Sequence, residues 1–449
     1  MQSQAINLAV VRELIRTATP DRVLRFIGRS HHADIALLFK GLEPAEVRQL
    51  FELLLSVRRA GKTLMELPPD LLPEILDLIE DEKLAKMLVW ADPDDEVTFI
   101  DSLPEERRER VLALVDPDRR ERVKQFIGFP EGTVGRIMTP EFLALSPNTT
   151  AQGAIDRIRE RGELETFFYL YVVDESGKLL GVVPIRALVI APKERTLSEM
   201  MIADPIRGQV SMDQEEAARL VSKYELLALP IVDQERRLVG IITVDDVIDI
   251  IDQESTEDMY RMAGLEEGDR IFSRPGLSIQ KRLPWMGFNL LTAMLAAFVV
   301  GLFERTIEEA VALAIFMPVV AGMGGNGGIQ TLTVMVRGIA LGELAFSTTW
   351  RVVLKEVTVG IVMGAIIGTL VAFIAYLWKG NPMLGFVLAL AMVINLFVAS
   401  LAGTLIPLAL KQLNLDPALG SGVIVTTFTD VFGFLSFLGL ATIFLRYLV

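Results

Sequence analysis

One carboxylate stands where a carboxylate is expensive. Asp430 lies in Val425-Thr-Thr-Phe-Thr-Asp430-Val-Phe-Gly433, well inside an apolar stretch and flanked by Thr426, Thr427 and Thr429. In hydrocarbon an ionised Asp costs ~2.5–3.5 kcal/mol or more unless water or a partner reaches it. No Lys or Arg lies at similar depth in the other apolar stretches, which disfavours a salt bridge there. Two chemistries remain: a protonated acid packed in protein, or a charged oxygen ligand beside a path for cations. The second is favoured. A related feature is Pro318-Val-Val-Ala-Gly322-Met-Gly-Gly325-Asn326-Gly-Gly-Ile-Gln330-Thr331, where four residues in six are Gly around one Asn. Gly and Pro weaken helix continuity, so this segment reads as interrupted, with carbonyls near Gly325 and the Asn326 amide available to an ion. Such carbonyls persist at membrane depth only when packed in protein or facing water. Close helix packing through Gly, with Asn326 bonded to a neighbour, is the alternative.

A second set of carboxylates lies in the polar part of the chain. Asp92, Asp94, Asp95 and Glu96 form one group, and Asp213, Glu215 and Glu225 another. Asp245, Asp246, Asp249, Asp252, Glu254, Glu257 and Asp258 form a third. On a helix, Asp245 and Asp249 share a face, as does Glu254 with Glu257 and Asp258, and like charges so placed repel mildly. Brought together between domains, these groups repel until cations neutralise them. A cation that binds the compact arrangement better shifts the chain toward it, which makes a switch. A solvated acidic surface that only aids solubility is the alternative.

The available ligands select the cation. There is no Cys, and the only histidines, His31 and His32, read as surface residues in a polar stretch. Disulfides, thiolate sites and cysteine nucleophiles are excluded. A hard, oxygen-liking ion remains. Magnesium fits, because it wants six oxygens and gives up water reluctantly. One Asp430 supplies one negative charge, so two subunits with both at a shared axis would match one dication. The residues therefore suggest a homodimer with a central pore.

These groups need elements to hold them. The chain has 449 residues, 51% hydrophobic yet 23% charged, which suggests a soluble portion joined to a membrane portion. Residues 1–280 carry a net charge of −16, which disfavours nucleic acid and favours cations. Met1 to Arg16 reads as an amphipathic helix and not as a signal peptide. Residues 1–131 repeat a pattern of Leu, then Pro, then acids before an apolar helix, seen at Leu42, Leu67 and Leu103, which predicts a small helical superhelix. Residues 132–254 hold two copies of helix, strand, turn, strand, helix, with strands at Tyr169–Val173 and Leu229–Val232. This repeat resembles a tandem CBS pair. In such domains a Thr-x-x-Asp after the second strand, here Thr243 and Asp246, can hold the ribose of an adenine nucleotide, and Arg186 is a further nucleotide-binding candidate. The bland reading is a helix start capped by Thr243. Residues 255–280 form a connecting helical segment, broken by Pro275-Gly276 before the membrane region. Residues 281–449 hold five apolar spans, near 284–303, 309–336, 353–378, 383–410 and 421–446, each long enough to cross ~30 Å of hydrocarbon. Lys281, Arg282, Arg337, Arg351, Lys355 and Lys411 fall on the side of the N-terminal region, and Arg305, Lys379 and Arg446 on the other. That bias puts the acidic domains in the cytoplasm and the C-terminus outside the cytoplasmic membrane. Gly360, Gly364 and Gly368 recur every four residues, for packing within the subunit or, less favoured, at a dimer seam.

The fold class is thus multidomain: an all-α superhelix, an α+β CBS pair, a connecting helix and five membrane helices. That layout, with Pro318…Gly324-Gly-Asn326…Gln330 and Asp416-Pro-Ala-Leu…Thr429-Asp430, resembles the MgtE family of magnesium channels/transporters over nearly the whole chain. The resemblance implies a pore at the dimer axis, lined by the second and fifth spans. Asp430 would then meet hydrated magnesium with backbone near Thr426, and Glu309 would sit at the outer mouth. It also implies that the acidic groups sense internal magnesium and close the pore, with ATP a possible regulatory ligand. Gly422 departs from the family, some of whose members carry Asn there. No phosphate-binding loop and no hydrolase constellation appears, so the chain reads as no enzyme. A transporter for cobalt or manganese, or a CBS-regulated membrane receptor or scaffold, are the other readings.

Overall fold

The structure is a computed structural model, and it describes residues 20–68, 71–160, 168–265, 269, 273, 275–344 and 349–449. The helix expected over Met1 to Arg16 lies outside the described residues. The chain divides into two compact units, Met1–Asp252 and Gln253–Val449.

The first unit opens with a run of short helices. Pro44, Pro93 and Pro117 each stand at the first helical turn, behind Glu43, Asp92 and Asp116. Proline loses nothing there, since the first N–H groups have no intrahelical partner. Arginines then close the opposite ends of earlier helices. Arg107 donates to Leu76 O at 2.8 Å and pairs with Asp81 at 2.7 Å, while Arg119 donates to Leu88 O and Arg59 to Ser30 O at 2.8 Å. Each reaches back about thirty residues to a helix end, where the last carbonyls have no donor one turn on within the helix. Phe51, Leu54, Leu64 and Leu76 fill the core beneath.

The two-copy repeat follows. One sheet has strand order β1 (Ala144–Leu145), β2 (Tyr169–Val173), β3 (Leu179–Pro184), β4 (Ile202–Ala203), and the other β5 (Gly208–Gln209), β6 (Ala228–Val232), β7 (Leu238–Thr243). The hairpins match in register: Tyr169 pairs Pro184 as Ala228 pairs Thr243, and each has an irregularity at the end of its first strand. The turns match too. Asp174 accepts from Ser176 and Lys178 N–H, and Asp233 from Glu235 and Arg237 N–H. A single helix, Val244–Met262, leaves the second copy.

The second unit holds five helices long and apolar enough to cross a membrane: Pro275–Gly301, Ala312–Ala340, Thr349–Lys379, Pro382–Gln412 and Ser421–Ile443, called here the first to fifth spans. The first begins at Pro275, with proline again at a helix start, earlier than the expected 284. The expected interruption of the second span is corrected by the structure: the helix runs unbroken from Ala312 to Ala340. Its glycines serve close approach. A Cβ on Gly324 would meet Asn395 at 2.3 Å, one on Gly327 would meet Leu396 at 2.5 Å, and one on Gly328 would meet Val425 at 2.5 Å. Packing of two neighbouring spans onto the Gly face outweighs the weak intrinsic helix preference of glycine. The Gly360, Gly364, Gly368 stripe lies against Ser400, Val393 and Ala389 of the fourth span, so it packs within the subunit.

Candidate ion site and acidic cluster

The fifth span follows a left-handed Gly420 and carries Thr426, Thr427 and Thr429 within the turn before Asp430. Thr426 donates to Gly422 O and Val423 O, both at 3.0 Å, and Thr427 donates to Val423 O at 2.7 Å. Their hydrogens are spent on the helix, so their oxygens face outward as acceptors. The Asp430 carboxylate, among the described residues, has no hydrogen bond or ion pair to protein. It opens with Thr426 and Thr427 onto a cleft of ≈ 390 Å³. Asn289 and Thr292 of the first span also line it, as do Met262, the last residue of the helix from residue 244, and Ala263 after it. Thr292 donates to its own helix at Asn289 O, 2.9 Å, and so also offers only lone pairs. A cleft of this size has room for several waters. A carboxylate among acceptor oxygens is suited to the outward-pointing hydrogens of a hydrated cation.

The structure sorts the other membrane candidates. Gly325 lies 3.8 Å (as an added Cβ) from Thr426, on the side of the fifth span, while Asn326 is exposed on the subunit surface. Glu309 ends the short helix Glu304–Glu309 and pairs with Arg305 at 2.8 Å. That helix meets the fifth span through Thr306 and Thr442, 2.8 Å apart. Thr442 is twelve residues beyond Asp430, or ~18 Å of helix, so Glu309 and Asp430 do not converge.

Sequence reasoning missed Asn289, Thr292 and Asn395. Asn395 is fully buried in the fourth span, donates to Val320 O at 2.8 Å and sits against Gly324 and Gly433. It ties the second, fourth and fifth spans. The signal was present: a lone Asn in the apolar run Ala391-Met-Val-Ile-Asn395-Leu-Phe has to find a partner within the bundle.

In the first unit, the helix Pro93–Asp101 carries Asp94, Asp95 and Glu96 in its first turn, with Asp92 before it. The positive helix end favours such acids, but burial opposes their charge. Burial, then the Asp246 carboxylate, pushes Asp94 up to about 7. Burial, then Asp94, pushes Asp95 up to about 8. Asp246 is raised by burial, against the bond it accepts from the Thr243 hydroxyl at 2.6 Å. Asp92, Asp94, Asp95 and Asp246 thus form one electrostatic group, and Glu141, unforeseen, adds its charge to Asp94. Asp249 is raised by burial and by Asp245 and Asp252.

Of the other expected sensor residues, Asp213, Glu215 and Glu225 belong to the helix Gln214–Tyr224 and its two caps. Asp213 caps the helix Gln214–Tyr224 by accepting from Glu215 N–H at 2.8 Å, and Glu225 closes the same helix with φ 53°. Glu254, Glu257 and Asp258 lie on the helix Val244–Met262, where Glu257 pairs with Arg261. Among the described residues no three carboxylates converge as a ready metal cage. Thr243 and Asp246 bond each other, with Thr243 N–H also donating to Asp246 at 3.2 Å, which is a helix-start arrangement. Arg186 is exposed on the helix after β3.

Comparison with known proteins matches three parts of this layout in the same order. The family model described as MgtE, divalent cation transporter, matches residues 317–440, the MgtE intracellular N domain matches 30–132, and CBS domains match 134–194 and 197–253. Magnesium transporter MgtE of Bacillus subtilis is 34% identical over 325 residues, covering 72% of each chain. Magnesium transporter MgtE of Thermus thermophilus is 36% identical over 330 residues, covering 73% of each. Among solved structures, the cytosolic domain of the Mg2+ channel MgtE in complex with ATP matches with TM-score 0.51 at 30% identity, covering 54% of this chain and 99% of that one. The soluble part of a magnesium transporter shares the fold at TM-score 0.50 and 24% identity, covering 55% and 98%. With an intracellular N domain, a CBS pair and a divalent-cation-transporter region in the same order, the chain belongs to the MgtE family.

Proposed function

We propose that the chain conducts magnesium across the cytoplasmic membrane, with Asp430 as the pore carboxylate. The observation that carries this is an acid inside a membrane helix that has no partner among the described residues and that shares a cleft with the Thr292, Thr426 and Thr427 hydroxyls. Its relatives' names state magnesium as their cargo. The ion keeps its water, because magnesium dehydrates reluctantly. Asp430 accepts hydrogen bonds from the ion's waters, and Thr426, Thr427 and Thr292 accept from the rest of the shell. Gly325 and Asn326 of the second span, and Glu309 at the far end, are assigned to the same path. One charge per subunit supports a homodimer with paired Asp430 residues. The division at 131, 254 and 280 assigns the cytoplasmic superhelix, the CBS pair, the connecting segment and the pore domain, with the C-terminus outside.

Closure is assigned to internal magnesium at the acidic cluster. Asp94, Asp95 and Asp246 hold one another's charge at high cost, so a dication between them favours the compact state. Asp92, Asp213, Glu215, Glu225, Asp249, Glu254, Glu257 and Asp258 are assigned supporting roles. Thr243, Asp246 and Arg186 are assigned to a regulatory ATP, which the ATP-bound relative supports. Magnesium flux into liposomes tests the central point. Asp430→Asn should abolish uptake while the protein stays monodisperse, and undiminished flux in that variant would remove Asp430 from the path.

A further inference from the structure

The third span stops and the fourth starts beside a second cleft, of ≈ 560 Å³, whose lining includes Gly380, Asn381, Met383, Phe386 and Tyr447. Asn381 builds its frame. Its Oδ1 accepts from Met383 N–H at 2.9 Å and Leu384 N–H at 3.3 Å, which caps the fourth span. Its Nδ2 donates to Tyr447 O at 3.2 Å and Leu448 O at 3.3 Å, so one side chain ties the loop between two spans to the segment after the fifth. Phe386 meets Phe444 edge to face at 5.9 Å and stays exposed, as do Trp378 and Tyr447. Two cations stand next to these residues: Lys379 lies 5.6 Å from the Trp378 ring and Arg446 4.7 Å from the Tyr447 ring. Among the described residues neither has an acidic partner. The acids of this end lie on the helix Glu304–Glu309, where Glu309 is taken by Arg305. Aromatics with Lys and Arg mark a membrane boundary, and here they border a recess that carries two unbalanced positive charges.

We propose that this cleft seats the headgroup phosphate of an acidic phospholipid, with Lys379 and Arg446 as its counter-charges and Met383 and Phe386 against the start of its acyl chains. Phosphate oxygens suit both partners, the guanidinium as a fork and the ammonium as a point charge. A zwitterionic headgroup brings its own ammonium, which two resident cations repel, so an acidic headgroup is preferred. A free phosphate would meet the same charges but forgo the apolar wall, which selects a lipid over a dissolved anion. The bound headgroup adds a second tie between the two segments that Asn381 joins. In the orientation proposed above, the site belongs to the outer leaflet. The inference is independent of the ion path, because none of these residues lines the Asp430 cleft.

The chain has no cysteine, so Leu377→Cys, at an exposed position two residues before Lys379, carries a single fluorophore beside the cleft without filling it. The full chain is reconstituted in phosphatidylcholine vesicles, and brominated phosphatidylglycerol or brominated phosphatidylcholine is added as quencher. Two charge-assisted contacts should let the phosphatidylglycerol quench at about a tenfold lower mole fraction. Lys379→Gln with Arg446→Gln should remove that difference, and Lys379→Arg should keep it. Equal quenching by the two lipids in the intact chain would mean a boundary anchor only, and would overturn the site. A preference that survives the paired Gln substitutions in monodisperse protein would overturn it too. So would relief of the quenching by dissolved glycerol 3-phosphate, since a free anion would then suffice.

Discussion

Asp94 and Asp95 titrate near the pH of cytoplasm, so protons and magnesium should compete for them. Burial raises both carboxyls above their ordinary 3.8, to about 7 and about 8. For a raised acid, the proton-linked stability of the compact arrangement is complete below about pH 4 and is lost as pH rises through 7 and then 8. Above that window two charges face each other and Asp246, and a dication supplies what the protons did. Binding magnesium requires both protons to leave. If they leave independently, the doubly deprotonated fraction rises roughly 500-fold between pH 6 and pH 8. Coupling between the sites spreads the titration, so at least a tenfold fall in the half-closing magnesium concentration is expected. The assay is magnesium flux in liposomes containing the full chain, with magnesium and pH varied on the cytoplasmic face. A half-closing concentration that moves less than tenfold from pH 6 to 8 would refute the reasoning. So would a full pH dependence in the Asp94→Asn, Asp95→Asn double variant, which should have lost it along with tight closure.

Asn395→Ala removes the donor to Val320 O and empties a fully buried site, and should cost on the order of 2 kcal/mol or more, read as a lower melting temperature in detergent. Gly364→Ala puts a Cβ 2.7 Å from the Val393 backbone; since backbone cannot swing aside, a loss of ~1–3 kcal/mol should appear in the same melt, whereas Gly301→Ala, with open space around it, should be near neutral. Thr243→Ala breaks the 2.6 Å bond to Asp246 and should cost about 1 kcal/mol as a lost cap; calorimetry with ATP on the same variant should show weakened binding, and unchanged affinity would separate the cap from any nucleotide role.

Much was legible in the residues themselves. Hydropathy alone marks five spans, because a backbone crossing hydrocarbon has to satisfy its own polar groups and side chains there have to be apolar. Alternation and turn chemistry mark the repeated hairpin, down to the paired Asp174 and Asp233. Asp430 stands out because a charge in such a segment has no cheap explanation. Tertiary structure decided what depends on neighbours. The Gly-rich second span looks interrupted in sequence, since glycine's local preference is weak, yet Asn395, Leu396 and Val425 pack on it and the helix holds. Asp94 and Asp246, some 150 residues apart, become one electrostatic group, while Asp213, at similar charge and polarity, caps a helix. Asn289, Thr292 and Met262 meet Asp430 only because three separate helices converge at one cleft. Local pattern reports what each segment tolerates, and long-range packing chooses which tolerated groups come within reach of one another.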